Sequence, residues 1–260
     1  MKITLAQIGS GTDLAANLAM ITASATAARG AGADVVMFPE YAMYEKHKVD
    51  DTFADAAQPL DGDFGTAVSR LAADLGIAIF AGMVEHNAAR PGRPFNTLGA
   101  WSAEGELLGR HRKALLYDVG NFSESSFISP GDPDDISTVT VGDTVIGLQA
   151  CYELRFPEIS RRQVRAGATV LAVLSSWVPG PAKIAQWITL TTARAIENLC
   201  HVVAVTQAVP VSTGHSLAIG PDGGVLASLG STPDQVTVSI DFAATKAVRA
   251  NDPRALAVDV

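Results

Sequence analysis

Cys151 stands at the end of the apolar run "TVIGLQA" and is followed at once by charge, in "QACYELRFPE" (149–158). A cysteine on a strand-to-helix turn is either a buried filler or a presented nucleophile. A nucleophile there needs help, because a free thiol ionises near pH ~8.5 and is only a few per cent thiolate at neutral pH. It needs a base or a cation beside it, and donors for an oxyanion. Two other apolar runs end in charge: Glu40 closes "DVVMFPE" (34–40) and Lys113 closes "LLGRHRK" (107–113). If these three strand ends share a sheet edge, a carboxylate, an ammonium and a thiol meet in one cleft, where open α/β sheets place their sites. The chemistry is coherent. Glu40 takes the thiol proton, and Cys151 attacks an electrophilic carbon. Lys113 and the backbone N–H just after Cys151 hold the oxyanion. Glu40 then protonates the leaving amine and activates water. Arg155, four residues after Cys151, carries a guanidinium able to fork onto a substrate carboxylate.

The elements that must position these groups read as strands alternating with helices. Strands are expected at 3–8, 34–40, 77–86, 136–141, 144–150, 169–176, 200–209 and 235–242. Residues 95–113 read as two strands around "AEGE", and 215–230 as a hairpin turning at "PDGG". Four helices are expected, at 14–33 capped by Asp13, at 65–76, at 157–166 with Pro157 in its first turn, and at 183–198. Residues 117–135 read as loop. Hairpins interrupt the alternation, which points to a mixed α/β sandwich in one domain over 1–260 rather than a doubly wound sheet.

Composition excludes several classes. The 260 residues are 48% apolar with a net charge of −8, and the densest basic runs, "GRHRK" and "RRQVR", are too short for a nucleic-acid stripe. The longest apolar run, "ATVLAVL" (168–174), cannot span a bilayer, so no membrane is expected as a partner. The N-terminus turns polar too early for a signal peptide, and two cysteines make no disulfide framework. Both fit a reducing, cytoplasmic compartment. Gly9-x-Gly11 is followed by Leu14 where a dinucleotide fingerprint needs a small residue, so it reads as a turn. "GHSLA" (214–218) runs on as a strand instead of a helix, so Ser216 reads as structural. The five histidines lack zinc spacing, so no metal is expected.

Four motifs in order resemble the nitrilase superfamily of carbon–nitrogen hydrolases. They are "FPEYAM" (38–43), "GRHRKALLYD" (109–118), "ESSFISPGD" (124–132) and "GLQACYELRFPE" (147–158), with "ARAIEN" (193–198) and "GHSLAIGPDG" (214–223) as secondary matches. The resemblance covers about residues 2–245 and implies a four-layer α-β-β-α sandwich that pairs across its outer helices into a homodimer. It implies no metal or organic cofactor and a thioester acyl-enzyme. It adds Glu124 as a second carboxylate that holds Lys113 and helps place substrate. The tail 246–260 would reach across the dimer. The closest motif match is to amidases acting on ω-amides of small acids and on deaminated glutathione. In these the arginine equivalent to Arg155 meets the substrate carboxylate, and Trp177, in "SSWVPGPAK", resembles their pocket wall. Tyr117 and Tyr152 are the further expected pocket residues.

Cys151-Tyr152-Glu153 departs from the Cys-Tyr-Asp common among near relatives, which bears on the loop beside the nucleophile. Tyr152 stands where true nitrilases carry tryptophan, and a single Arg155 stands where carbamoylases carry two basic residues. A small carboxylate-bearing amide is therefore the expected substrate, with N-carbamoyl amino acids, simple amides or nitriles as alternatives. An idle binding or scaffold protein, or an acyl-transfer enzyme, is the competing class. Taken singly, each residue also has a plain reading. Glu40 is then a solvated strand-end carboxylate, Lys113 part of a surface basic run, and Arg155 a surface partner of Glu158. Cys200, in "NLCHVVAV", is given no chemistry.

Overall fold

Asp13 Oδ1 accepts hydrogen bonds from the N–H groups of Ala15 and Ala16 at 2.9 and 3.0 Å, which starts the first helix where the sequence places it. In the computed structural model, which describes residues 1–252, the chain runs β1 (Lys2–Gln7), α1 (Leu14–Gly30), β2 (Val35–Met37), α2 (Thr52–Ala56), α3 (Asp63–Leu75) and β3 (Ala78–Glu85). It continues through β4 (Phe95–Trp101), β5 (Leu107–Arg112), β6 (Thr138–Val141), β7 (Thr144–Ala150), α4 (Pro157–Arg165) and β8 (Val170–Ser175). Then come α5 (Lys183–Asn198), β9 (His201–Thr206), β10 (Leu217–Ile219), β11 (Val225–Ser228), β12 (Asp234–Ser239) and α6 (Phe242–Asn251).

The strands form two six-stranded sheets, ordered β12-β1-β2-β3-β4-β5 and β11-β10-β9-β8-β7-β6. In each, the interior strands run parallel and antiparallel strands flank them. β8 shows how the layers stack. Val170, Ala172 and Leu174 point into the core between the sheets, against Ile3, Leu5, Met37 and Phe80. The alternate residues Leu171 and Val173 face the outer core with Val164 of α4 and Trp187 and Ala195 of α5. A strand buried on both faces reads as one continuous apolar run, as "VLAVLS" does. On the other side, α1 and α3 cover the first sheet through Ile21, Ala25, Val68 and Ala72. The architecture is the four-layer α-β-β-α sandwich.

Several boundaries differ from expectation. The helix expected to reach residue 33 stops at Gly30, because Gly32 takes a left-handed φ of 76° and turns the chain into β2. β2 covers only three residues of the expected 34–40, since Pro39 has no N–H to continue a ladder. α2 and α6 were not expected. The last strand ends at Ser239, and Asp241 caps α6 by accepting from Ala243 N–H at 2.9 Å. Arg249 of α6 donates to the carbonyls of Leu199 and Ala168, so 246–251 pack on their own chain. The rest of the tail, 253–260, lies outside the described residues. Ser216 ties the sheets together: its Oγ donates to Gln7 Oε1 at 2.8 Å and accepts from Thr206 N–H at 3.0 Å.

Candidate active site

Lys113 leaves the end of β5 and enters the space between the sheets, where it is buried. Its Nζ bridges two carboxylates, Glu40 Oε1 at 2.9 Å and Glu124 Oε2 at 2.8 Å. Burial opposes the ammonium, but the charges of Glu124 and Glu40 outweigh it and hold Lys113 protonated well above the ordinary lysine range. The two carboxylates are not equivalent. Glu124, in a single 3-10 turn over Glu124–Ser126, accepts four hydrogen bonds. The donors are Lys113 Nζ, Tyr117 N–H at 2.7 Å, Tyr41 Oη at 2.8 Å and Asn96 Nδ2 at 3.0 Å. Burial would raise its pKa, yet Lys113 and these donors keep it below the ordinary glutamate range. A carboxylate so fully engaged is a poor base. Glu40 spreads its partners differently: Oε1 accepts from Lys113 and from Asn96 at 2.6 Å, while Oε2 accepts from Ser176 N–H, at 2.7 Å.

Glu40 reaches the site because the chain after β2 passes directly over Gly82 of β3. A Cβ at Gly82 would lie 2.4 Å from Tyr41 N and 2.6 Å from Glu40 Cα. Tyr41 then turns through a left-handed φ of 58°.

Cys151 begins a short 3-10 turn, Cys151–Arg155, directly after β7, with a left-handed φ of 46°. Non-glycine residues held there are strained by about 1–3 kcal/mol and need over-determining contacts. Glu153 supplies them. Its Oε2 accepts from Ala150 N–H at 2.8 Å and from His111 Nε2 at 2.6 Å, and its Oε1 accepts from Ala114 N–H at 2.8 Å. His111 Nδ1 in turn meets Ser137 Oγ at 2.9 Å. The departure from the usual Cys-Tyr-Asp thus falls on the residue that pins the nucleophile turn to the Lys113 strand. The Cys151 thiol points at the Ser176 carbonyl, with 3.7 Å between Sγ and O. Burial, with the Glu40 charge added, pushes its pKa far up, and Lys113 opposes this in part. The resting group is a thiol, so its proton must pass to a base during attack.

All eight residues expected from the sequence line one cavity of about 210 Å³: Glu40, Lys113, Tyr117, Glu124, Cys151, Tyr152, Arg155 and Trp177. Tyr117 and Tyr152 pack edge to face with centroids 5.2 Å apart. Arg155 lies 5.4 Å over the Trp177 ring and donates to Gln186 Oε1 at 2.6 Å, not to Glu158. Lys183 also faces Trp177, at 5.3 Å, and donates to Tyr117 Oη at 3.0 Å. Among the described residues neither cation is within ion-pair distance of a carboxylate. Sequence reasoning missed Tyr41, Asn96, Lys183 and the His111–Glu153 pair. Asn96 left a trace as an amide inside an apolar strand, and Glu153 as the acidic residue that departs from the common pattern beside Cys151, though not its partner His111.

A profile of the carbon–nitrogen hydrolase family matches residues 2–250. Hydrolase Rv0480c of Mycobacterium tuberculosis is 36% identical over 96% of this chain and 92% of its own length. Deaminated glutathione amidase of Escherichia coli O157:H7 is 31% identical over 87% of this chain and 86% of its own. Among solved structures, the C. elegans NitFhit protein superposes with a TM-score of 0.90 at 27% identity, covering 97% of this chain and 63% of that longer one. The chain belongs to the carbon–nitrogen hydrolase family and is an amidohydrolase acting on C–N bonds.

Proposed function

We propose that the protein hydrolyses a small carboxylate-bearing amide, such as an ω-amide of a 2-oxo acid, to the acid and ammonia through a thioester on Cys151. The observation that carries the substrate class is the pair of cations on Trp177. Arg155 and Lys183 face one cavity without a carboxylate partner among the described residues, in a chain of net charge −8. A carboxylate between them completes their hydrogen bonding. A relative named for deaminated glutathione points the same way.

In this reading Glu40 Oε2 takes the thiol proton as Sγ attacks the amide carbon. The carbonyl π electrons move to oxygen, and Lys113 Nζ with the N–H following Cys151 stabilises that oxyanion. The tetrahedral centre collapses, the C–N bond breaks, and protonated Glu40 gives its proton to the departing nitrogen. Water then adds to the thioester as Glu40 removes its proton, and the second collapse returns that proton to Sγ. Glu124 holds Lys113 and takes no proton.

The enzyme would act as a homodimer in a reducing, cytoplasmic setting. Support for pairing comes from α5, where Ile184, Ile188 and Ile196 recur at helical spacing and are 40%, 41% and 49% exposed. Both cysteines are free thiols.

The test is ammonia release from 2-oxoglutaramate, 2-oxosuccinamate, deaminated glutathione, 3-ureidopropionate, an aliphatic amide and a nitrile, each beside Cys151→Ala. The expected outcome is a lead for the carboxylate-bearing amides and a silent mutant. A lead for the nitrile or the uncharged amide overturns the substrate class, and a mutant keeping a tenth of the activity overturns the nucleophile.

A further inference from the structure

Glu45 has no part in the chemistry above, yet it lines the same cavity as Glu40, Lys113, Glu124 and Cys151. It is only 3% exposed. Two bonds fix it in place: its backbone N–H donates to Gly11 O at 3.0 Å, and its Oε1 accepts from Lys46 N–H at 2.8 Å. The other oxygen, Oε2, is fully buried and has no hydrogen-bond partner. An unmade bond of this kind costs about 1–3 kcal/mol. Among the described residues no cation lies within ion-pair distance of Glu45; Lys113 is engaged by Glu40 and Glu124, and Lys46 by Asp50. Burial foremost, with the charges of Glu40 and Glu124 added, pushes the Glu45 carboxyl well above the ordinary glutamate range. Ser176 and the Lys46 N–H oppose this in part. A carboxyl buried this deeply, with one oxygen unpartnered and no ion pair, favours its neutral form. In that form Oε1, which already accepts from Lys46 N–H, is the carbonyl oxygen and Oε2 the hydroxyl, and Oε2 makes no hydrogen bond within the protein.

We propose that Glu45 is a specificity residue whose Oε2 hydroxyl donates a hydrogen bond to an oxo or hydroxyl oxygen of the substrate. The inference rests on the reading of the cavity as an amide site and adds a second recognition element to the carboxylate anchor. Arg155 and Lys183 take the charged end, and Glu45 reads an uncharged acceptor. A buried donor discriminates strongly, because a substrate lacking the acceptor leaves it unpaired. It also rejects an ammonium in the same place, since two donors would face each other.

The experiment compares kcat/KM within matched sets. One set is 2-oxosuccinamate, succinamate and asparagine; another is 2-oxoglutaramate, glutaramate and glutamine; the third is the uncharged pair 3-hydroxybutyramide and butyramide. Wild type is expected to favour the oxo or hydroxyl member. Glu45→Leu should cut that ratio by about tenfold to a hundredfold, the size of one buried bond left unmade. Glu45→Gln should restore most of it, because its amide N–H occupies the place of the Oε2 hydroxyl. If Glu45→Leu does not fold, Glu45→Met, similar in length and without a donor, replaces it. A shift in Tm with the ratio unchanged makes Glu45 structural and overturns the proposal. So does a wild-type preference for asparagine or glutamine that both variants lose, which would mark an ionised Glu45 reading a cation. If only the uncharged pair is turned over, the carboxylate reading falls and Glu45 is judged on that pair. Turnover of no set overturns both.

Discussion

His111 Nε2 and Glu153 Oε2 lie 2.6 Å apart, both buried, and through them the strand that ends at Lys113 is tied to the turn that presents Cys151. Burial lowers the His111 pKa, but the Glu153 charge wins and raises it. Burial raises the Glu153 pKa, but His111 and two backbone N–H groups lower it. The sign of the pH dependence follows. The Glu153 contribution is full above its unfolded pKa of ~4.3 and is lost as pH falls through its lower folded value. The His111 contribution is full below ~6.5 and is lost as pH rises through its higher folded value. The Tm gap between wild type and Glu153→Gln should therefore be widest between about pH 4.3 and 6.5 and narrow on either side. A gap that does not change with pH would show that the pair is not ionised. Removing one partner of such a buried pair costs about 3–5 kcal/mol.

The same clamp sets the nucleophile. Glu153→Asp keeps the charge but shortens the reach to Ala114 N–H and His111. Misplacing a catalytic group by about 1 Å can cost on the order of a hundredfold in rate. We expect Glu153→Asp to lower kcat by that order while KM changes little, because the cation pair on Trp177 is untouched. Steady-state kinetics on the best substrate decide it; a rise in KM alone would move Glu153 to substrate binding.

How much of this is legible in the sequence depends on how far apart the partners lie. Glu40, Lys113 and Cys151 each close an apolar run, so the rule that sites gather at strand ends finds them without any tertiary contact. The continuous apolar run of β8 likewise announces a strand buried on both faces. Asn96 is different. It donates to Glu40 and Glu124, 56 and 28 residues away, and nothing in "FNTLGAW" names those partners. Glu45 and His111 read as solvated residues in polar stretches until packing buries them. α6 escaped because its cap, Asp241, follows a strand without a turn signal, so the apolar pattern ran through it.

Glu40 and Glu124 differ in hydrogen bonding, and that difference is measurable. Glu40→Gln removes the carboxylate that takes the Cys151 proton in the proposed mechanism. A lost general base typically costs about 10²–10⁴-fold, and we expect no acyl-enzyme by intact mass. Glu124→Gln leaves Glu40 in place but replaces one acceptor of Lys113 and Tyr117 N–H by an amide. Its acyl-enzyme should still form, more slowly. Equal silence of both variants in the mass experiment would mean that Glu124 shares the proton transfer.

Gly82 makes room for the Glu40 segment, so Gly82→Ala should act on the base from a neighbouring strand. The added methyl would overlap Tyr41 N and Glu40 Cα. Overpacking of this kind costs about 1–3 kcal/mol in stability. Because the displaced atoms include Glu40 Cα and the peptide nitrogen that follows it, activity should fall further than stability, by on the order of a hundredfold. Wild-type kcat at unchanged Tm would show that the segment shifts without carrying the carboxylate.

Arg155→Ala separates anchoring from chemistry. The guanidinium stands over Trp177, away from the Lys113 carboxylate pair, so its loss should leave the proton transfers intact. A hydrogen bond to a charged group is worth about 1.5–3 kcal/mol, so KM for a carboxylate-bearing amide should rise about tenfold to a hundredfold. KM for an uncharged amide should stay within about threefold, since that substrate never used the charge. Lys183→Met should behave alike, and the double variant should lose less than the sum, because both cations meet one carboxylate. Equal effects on charged and uncharged amides would remove the anchor and, with it, the reason to favour an acidic substrate.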